Sequence, residues 1–452
     1  MNGIVNRLTA IFICIHHALN PTPHTHLGET VAYSIKNCCK STFKKFPRTS
    51  FVLLAVAIAV IIKVVPVAGQ YLSPSLLQQP EPTPVYPHVQ STVPELVRKR
   101  VVDLTASEKA AFVNAVNTLH KTIPEGSNLS IYEQFVLQHV LTMGFGHGLE
   151  TSGPQKVNPA HGRAAFLPWH RQFLREFERT LQTIDPVVTV PYWDWTDPKA
   201  LDVILQDNFL GSNGQGVVIE VPGLGTFEGG PVVTGALADW TLNEALHFEM
   251  YTGKPLGDRL IRFVAVPPFN QYPLPKADTE KLFSIDHYEA FNALLEGAEK
   301  LNDRGRFVED WSLHAYIHTL IGGAEVDTAH SKNGVPKELR ALGTMDSIPC
   351  SPYDPIFWLL HANVDRLWAE WQDQGHTGQT FFPVRGNPFG HNLSDPMFPW
   401  DGGVSKPGNL GPGNLLAWLS AIATDQVITP ADVLDFRSLG YNYDTTRLAA
   451  DQ

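Results

Sequence analysis

The sequence predicts a mainly α protein, an antiparallel four-helix bundle with long loops and a few short strands, closed around a paired metal site. Two observations carry that expectation. Six histidines fall in two groups of three, His139, His161 and His170, then His314, His318 and His361. Four segments repeat apolar residues at helical spacing, and each carries at least one of those histidines on its apolar face.

In the first segment Tyr132, Phe135, Val136, His139, Val140 and Met143 follow the i, i+3, i+4, i+7 rule, so His139 faces the core. In the second, Pro168 suits a first helical turn, and His170, Phe173, Leu174, Phe177 and Leu181 form one stripe. In the third, His314, Ile317, His318 and Ile321 share a face. The fourth opens with Asp354 as a candidate N-cap and Pro355 at the first helical position, and Phe357, His361, Val364, Trp368 and Trp371 line one side. Bundles build metal sites where such faces meet. The stretches from about 196 to 300 and from 373 onward are rich in Gly and Pro and read as loops, short helices and short strands.

The 452 residues, 43% apolar and 17% charged, suit one large globular domain or two ordinary ones. A net charge of -11 without a basic stripe argues against nucleic acid as a partner. Cys14, Cys38 and Cys39 precede any recognisable domain, so Cys350 stands alone in the body and no disulfide framework can form there.

Residues 1–50 read as a disordered leader. The apolar segment 51–68 follows Lys44, Lys45 and Arg48 and ends in Val-Ala-Gly at 67–69. That order is a signal-peptide core, with a single-pass anchor as the alternative. Prolines at 74, 80, 82, 84, 87 and 94 make 69–96 an extended linker. The folded domain is expected over 97–445, with a tail at 446–452. Secretory-pathway entry is expected, either secreted or membrane-anchored, and it would open the sequons at Asn128 and Asn392 to glycosylation.

Neutral imidazole suits copper, zinc, iron and nickel, and three per group leave open coordination positions. No Asp or Glu sits at ligand spacing beside either group, which argues against carboxylate-rich iron sites. Position 315 is alanine, so the His314/His318 pair lacks the glutamate of zinc peptidases. Six nitrogen donors without thiolate favour copper. A lone His-x-x-x-His is weak evidence, since chance places about 0.7 such pairs in a chain with 18 histidines. The conjunction of six histidines, four helices and one inward phase is what points to a dinuclear site.

Three stretches carry a family resemblance: His161-Gly-Arg-Ala-Ala-Phe-Leu-Pro-Trp-His170 with its continuation, Pro191-Tyr-Trp-Asp-Trp195, and Ser351-Pro-Tyr-Asp-Pro-Ile-Phe-Trp-Leu-Leu-His361 running on to Trp368. The chain resembles the tyrosinase and catechol oxidase family of type 3 copper proteins from about Arg98 to Tyr443, where Gly440-Tyr-Asn-Tyr-Asp444 is similar to the family's closing tyrosine motif. The resemblance implies two copper ions, one on His139, His161 and His170 and one on His314, His318 and His361. His147, flanked by glycines, competes with His139 but lacks its helix phase. Implied too are dioxygen and a small phenol, or a peptide tyrosine, as reactants, with o-diphenols oxidised to o-quinones and monophenols hydroxylated in some members.

Phe357 is a candidate for packing against the ligand rings, with plain core as its other role. Asp365 and Arg366 are expected to make structural polar contacts. No cysteine lies between His139 and His161, so the thioether of some members should be absent. Cys350 reads as a buried thiol. Leu360 stands where most members have a second histidine, and Ala315 where several monophenol-hydroxylating members carry Asn or Asp. Glu309 and Asp310 are the candidate carboxylates beside the site, but Ala315 cannot help orient a water, so o-diphenol oxidation should dominate. The chain resembles a short form without a C-terminal lid domain. The competing functions are haemocyanin-like oxygen binding without turnover and a catalytically inactive secreted domain of the same fold.

Overall fold

The computed structural model describes residues 96–145, 157–250, 252–297, 300–301, 307–308, 313–326 and 339–446. The expected leader, apolar segment and linker up to residue 95 lie outside those residues, as do His147, Glu309, Asp310 and the tail from 447. No described helix is long and apolar enough to cross a membrane.

Among the described residues, six helices of eight residues or more organise the domain: α1 (Ala106–Lys121), α2 (Ile131–Thr142), α3 (Phe166–Gln182), α4 (Tyr288–Glu296), α5 (Leu313–Gly322) and α6 (Ile356–Asp373). The expected histidine helices are α2, α3, α5 and α6. Capping boxes start α1 and α2, where Thr105 and Ser130 accept from the amides of Glu108 and Glu133 and each glutamate returns the bond. Each such cap is worth about 1 kcal/mol, so the helix starts are fixed locally.

The start of α6 differs from the expectation. Its first residue is Ile356, with Pro355 just outside, and Asp354 is not the N-cap. The Asp354 carboxylate is held by Arg262 at 2.7 and 2.8 Å and accepts the Ile356 amide at 3.1 Å. A buried bidentate ion pair therefore takes the position that a simple cap would have filled.

The core is aromatic. Phe177 stacks on Trp358 with centroids 3.6 Å apart, joining α3 to α6. Strand pairing is sparse: β1 (Leu96–Arg98) runs parallel to a C-terminal strand, Tyr441–Tyr443. The hairpin Val217–Val221/Gly225–Pro231 adds Ile261–Arg262 as a third strand. The parallel pair delivers Arg98, Tyr441 and Tyr443 to Asp365 on α6. Asp365 and Arg366 are structural as expected: Arg366 bonds Asn363 and Glu370 and lies over the Tyr192 ring.

Candidate metal centre

All six histidines converge. The ligand atoms of His139, His161 and His170 lie within 4.8 Å of one another, and so do those of His314, His318 and His361. Helices α2 and α3 supply His139 and His170, α5 supplies the i, i+4 pair, and α6 supplies His361. His161 is not on a helix. Its loop is an Asx turn in which the Asn158 carboxamide accepts the amides of Ala160 and His161 at 2.8 and 3.1 Å. Gly162 follows at φ 77, a conformation that favours glycine. His391 braces the same loop, accepting the Ala165 amide at 3.1 Å on Nδ1 and donating to the Asn158 carbonyl at 2.8 Å from Nε2.

Four of the imidazoles are oriented by backbone carbonyls. Nδ1 of His139 donates to Pro349, of His170 to Phe166, of His314 to Glu296 and of His318 to Met345, at 3.0, 2.9, 3.0 and 2.8 Å. A carbonyl only accepts, so in each ring Nδ1 carries the hydrogen and Nε2 keeps its lone pair. Burial keeps the rings neutral, pushing His139 down to about 3 and His318 down to about 4 and holding the other four well below the usual range.

This donor set fits metal on its own geometry. Nε2 of His314 and Nε2 of His318 approach to 3.0 Å although neither carries a hydrogen, so two lone pairs face each other. A cation held by both nitrogens would turn that repulsion into ligation. Nε2 of His139 and of His170 are buried with no protein partner, an unpaid cost that a metal bond relieves. Neutral nitrogen donors without thiolate or carboxylate suit copper.

Two phenylalanines enclose the centre. The Phe357 ring sits 4.1 Å from His361 and 5.4 Å from His139, so it packs against an imidazole of each triad. Phe166 lies 4.7 Å from His170 and 4.9 Å from His314, a bridging role the sequence reading missed although the residue stands four before His170. Leu360 is fully buried. The Cys350 thiol is buried against the Phe248 and Ser347 carbonyls, and burial pushes it up to about 11, so it stays protonated at neutral pH.

One carboxylate beside the site was also missed. Glu296 closes α4, its carbonyl receives His314 Nδ1, and its carboxylate accepts the Gly162 amide at 2.7 Å. It therefore touches the segments that carry His161 and His314. Of the six histidines His161 is the most open, and Ala315 and Tyr316 are half-buried on α5.

The family description "Common central domain of tyrosinase" matches residues 129–374. The tyrosinase of Streptomyces glaucescens is 32% identical over 309 residues, covering 68% of this chain and 92% of that protein. The grixazone synthase of Streptomyces griseus is 30% identical over 331 residues, covering 67% and 93%. Among solved structures, a polyphenol oxidase variant from Thermothelomyces thermophila aligns with a TM-score of 0.49 at 22% identity, over 78% of this chain and 88% of that one. A central domain matched from 129 to 374, and built around two imidazole triads that suit paired copper, makes this chain a member of the tyrosinase family of type 3 copper oxidoreductases, with two copper ions as cofactor and dioxygen and phenols as reactants.

Proposed function

We propose that His139, His161 and His170 hold one copper, that His314, His318 and His361 hold the other, and that the enzyme oxidises o-diphenols to o-quinones faster than it hydroxylates monophenols. The observation that carries the ligand assignment is the pair of triads, each with its nitrogen atoms within 4.8 Å. The copper pair supplies the redox capacity through which dioxygen takes electrons from the phenol. Each o-diphenol gives up two electrons and two protons, and four electrons reduce dioxygen to two waters.

The chain's own residues divide the remaining work. Carbonyls of Pro349, Phe166, Glu296 and Met345 fix the ring orientations. Phe357 and Phe166 wall the centre with apolar faces and limit water. The phenol approaches on the side of His161, the most open of the six histidines. Glu296 is a further candidate carboxylate beside the site, alongside Glu309 and Asp310, which lie outside the described residues. Ala315 presents only a methyl group next to His314, so no side chain at that position can help the carboxylate orient a water against a monophenol.

The domain boundaries at 97 and 445 belong to the same proposal, as does a secretory route based on the basic, apolar and small-residue order at 44–69. On that route Asn128, which is exposed, is the better glycan acceptor, because Asn392 gives its amide to the Asn387 carbonyl.

Reconstitution of the full-length chain with copper tests the assignment. Two ions per chain, steady quinone formation from catechol and a slower, lagging rate on the matching monophenol are expected. Reversible oxygen binding without quinone would mean a carrier, and equal rates without lag would remove the diphenol preference.

A further inference from the structure

We propose that Asp346 is a positioning residue for the second triad, acting through Thr319 to fix the helix that carries His318 while the neighbouring Met345 carbonyl holds the ring. The segment Thr344–Ser347 runs along the end of α5, and two consecutive residues of each are tied together. The Met345 carbonyl accepts Nδ1 of His318 at 2.8 Å, and the Asp346 carboxyl accepts the Thr319 hydroxyl at 2.6 Å. The first bond sets the ring's tautomer and angle. The second fixes the rotation of α5 about its axis against the strand of chain that bears the carbonyl.

The close approach is written into the sequence. A Cβ at Gly322 would meet the Asp346 amide nitrogen at 2.2 Å, so only glycine lets the helix end abut this segment. Gly323 turns the chain away at φ 73. The segment is itself anchored, with the Thr344 amide on the Ile261 carbonyl at 2.9 Å and the Thr344 hydroxyl accepting the Ile261 amide at 3.0 Å. Thr319 is fully buried and Asp346 nearly so. Burying a carboxyl costs free energy unless it is bonded, and the Thr319 hydroxyl supplies that bond. Without Asp346, the Thr319 hydroxyl has only the Ala315 carbonyl, at 3.5 Å and at the edge of bonding distance.

This inference rests on His318 as a copper ligand, and the experiment separates the two. Copper release to a chelator is followed for the full-length wild type and for Asp346→Ala, Asp346→Asn, Thr319→Val, Thr319→Ser and His318→Ala. Metal-free melting temperature and circular dichroism report folding independently. Asp346→Ala and Thr319→Val should release one of the two ions about 10-fold faster, as loss of an orienting partner does, while the other ion stays. Asp346→Asn and Thr319→Ser keep the bond and should follow the wild type. If Asp346→Ala does not fold, the Thr319 pair carries the same comparison. His318→Ala retaining both ions would overturn the ligand assignment. His318→Ala losing one ion while Asp346→Ala and Thr319→Val release copper at the wild-type rate would overturn the positioning role.

Discussion

His170 and His361 stack face to face, with centroids 4.2 Å apart and planes 11° from parallel. One ring belongs to each triad, so the two halves of the centre share a packed contact in addition to their common function. His318 stands 5.8 Å from His361 at a steep angle and has no such stack with the first triad. Truncating a stacked ring removes a ligand from one triad and a packing face from the other. His361→Ala should therefore lose its own copper and also loosen the ion on His139, His161 and His170. His318→Ala should lose only its own. Copper release from the two variants checks this, with a several-fold faster loss of the remaining ion expected for His361→Ala. Equal rates would show that the stack couples nothing.

Asp365 binds Arg98 at 3.1 Å, Arg171 at 2.5 Å, Tyr441 at 2.6 Å and Tyr443 at 2.7 Å, all deep in the core. Asp365→Ala leaves two guanidinium groups without that carboxylate, a cost of roughly 3–5 kcal/mol. For a domain of this size that is a fall in melting temperature of roughly 4–7 °C. Burial pushes the Asp365 carboxyl up, but Arg171 and Arg98 outweigh it and hold it below the usual range. A depressed carboxyl stabilises the fold above its unfolded value of about 3.9, and that contribution is lost as pH falls through the folded value. Calorimetry of wild type and Asp365→Ala should show the gap between them narrowing only below about pH 4. A gap of less than about 2 °C at neutral pH would refute the assigned weight.

The helices that carry five of the six histidines were legible because a 3.6-residue apolar period survives whatever packs against it, and His139, His170, His314, His318 and His361 ride on that period. His161 was legible only through its motif, since an Asx turn has no periodicity. Helix α1 went unread although Thr105-x-x-Glu108 is a capping signature that could have marked it. Glu296 was out of reach for a different reason: it lies 18 residues before His314, on another helix, and only the fold brings its carbonyl to that ring. The pairing of Leu96–Arg98 with Tyr441–Tyr443 joins opposite ends of the domain, a contact that no local pattern encodes.

Among the described residues outside the triads, His247 and His391 are buried and His120 half-buried, and all three are neutral. Burial pushes His120, His247 and His391 down to about 4 each. In the unfolded chain each titrates near 6.5, so between about pH 6.5 and 4 the unfolded state binds protons that the folded state refuses. Stability must then fall as pH drops through that window. The melting temperature of the metal-free protein should decline from pH 7 to pH 5, and His391→Gln should flatten part of the slope. His391 also braces the loop of His161, so the same variant should release copper from the first triad faster. A slope identical to the wild type would remove His391 from the account.

Ala315 and Glu296 together make the sharpest functional test. Glu296 holds the Gly162 amide and, through its carbonyl, His314, while Ala315, the residue after His314, carries no polar side-chain atom. Ala315→Asn supplies a carboxamide that can share a water with a carboxylate, so the monophenol rate should rise relative to the catechol rate, on the order of 10-fold. Ala315→Leu, which adds bulk without polarity, should leave the ratio low. Glu296→Gln keeps the shape and the carbonyl bond but removes the negative charge, and in the Ala315→Asn background it should cancel the gain. Oxygen uptake on a matched catechol and monophenol measures each ratio, at equal copper loading. A gain in Ala315→Asn that persists after Glu296→Gln would assign the water to another group.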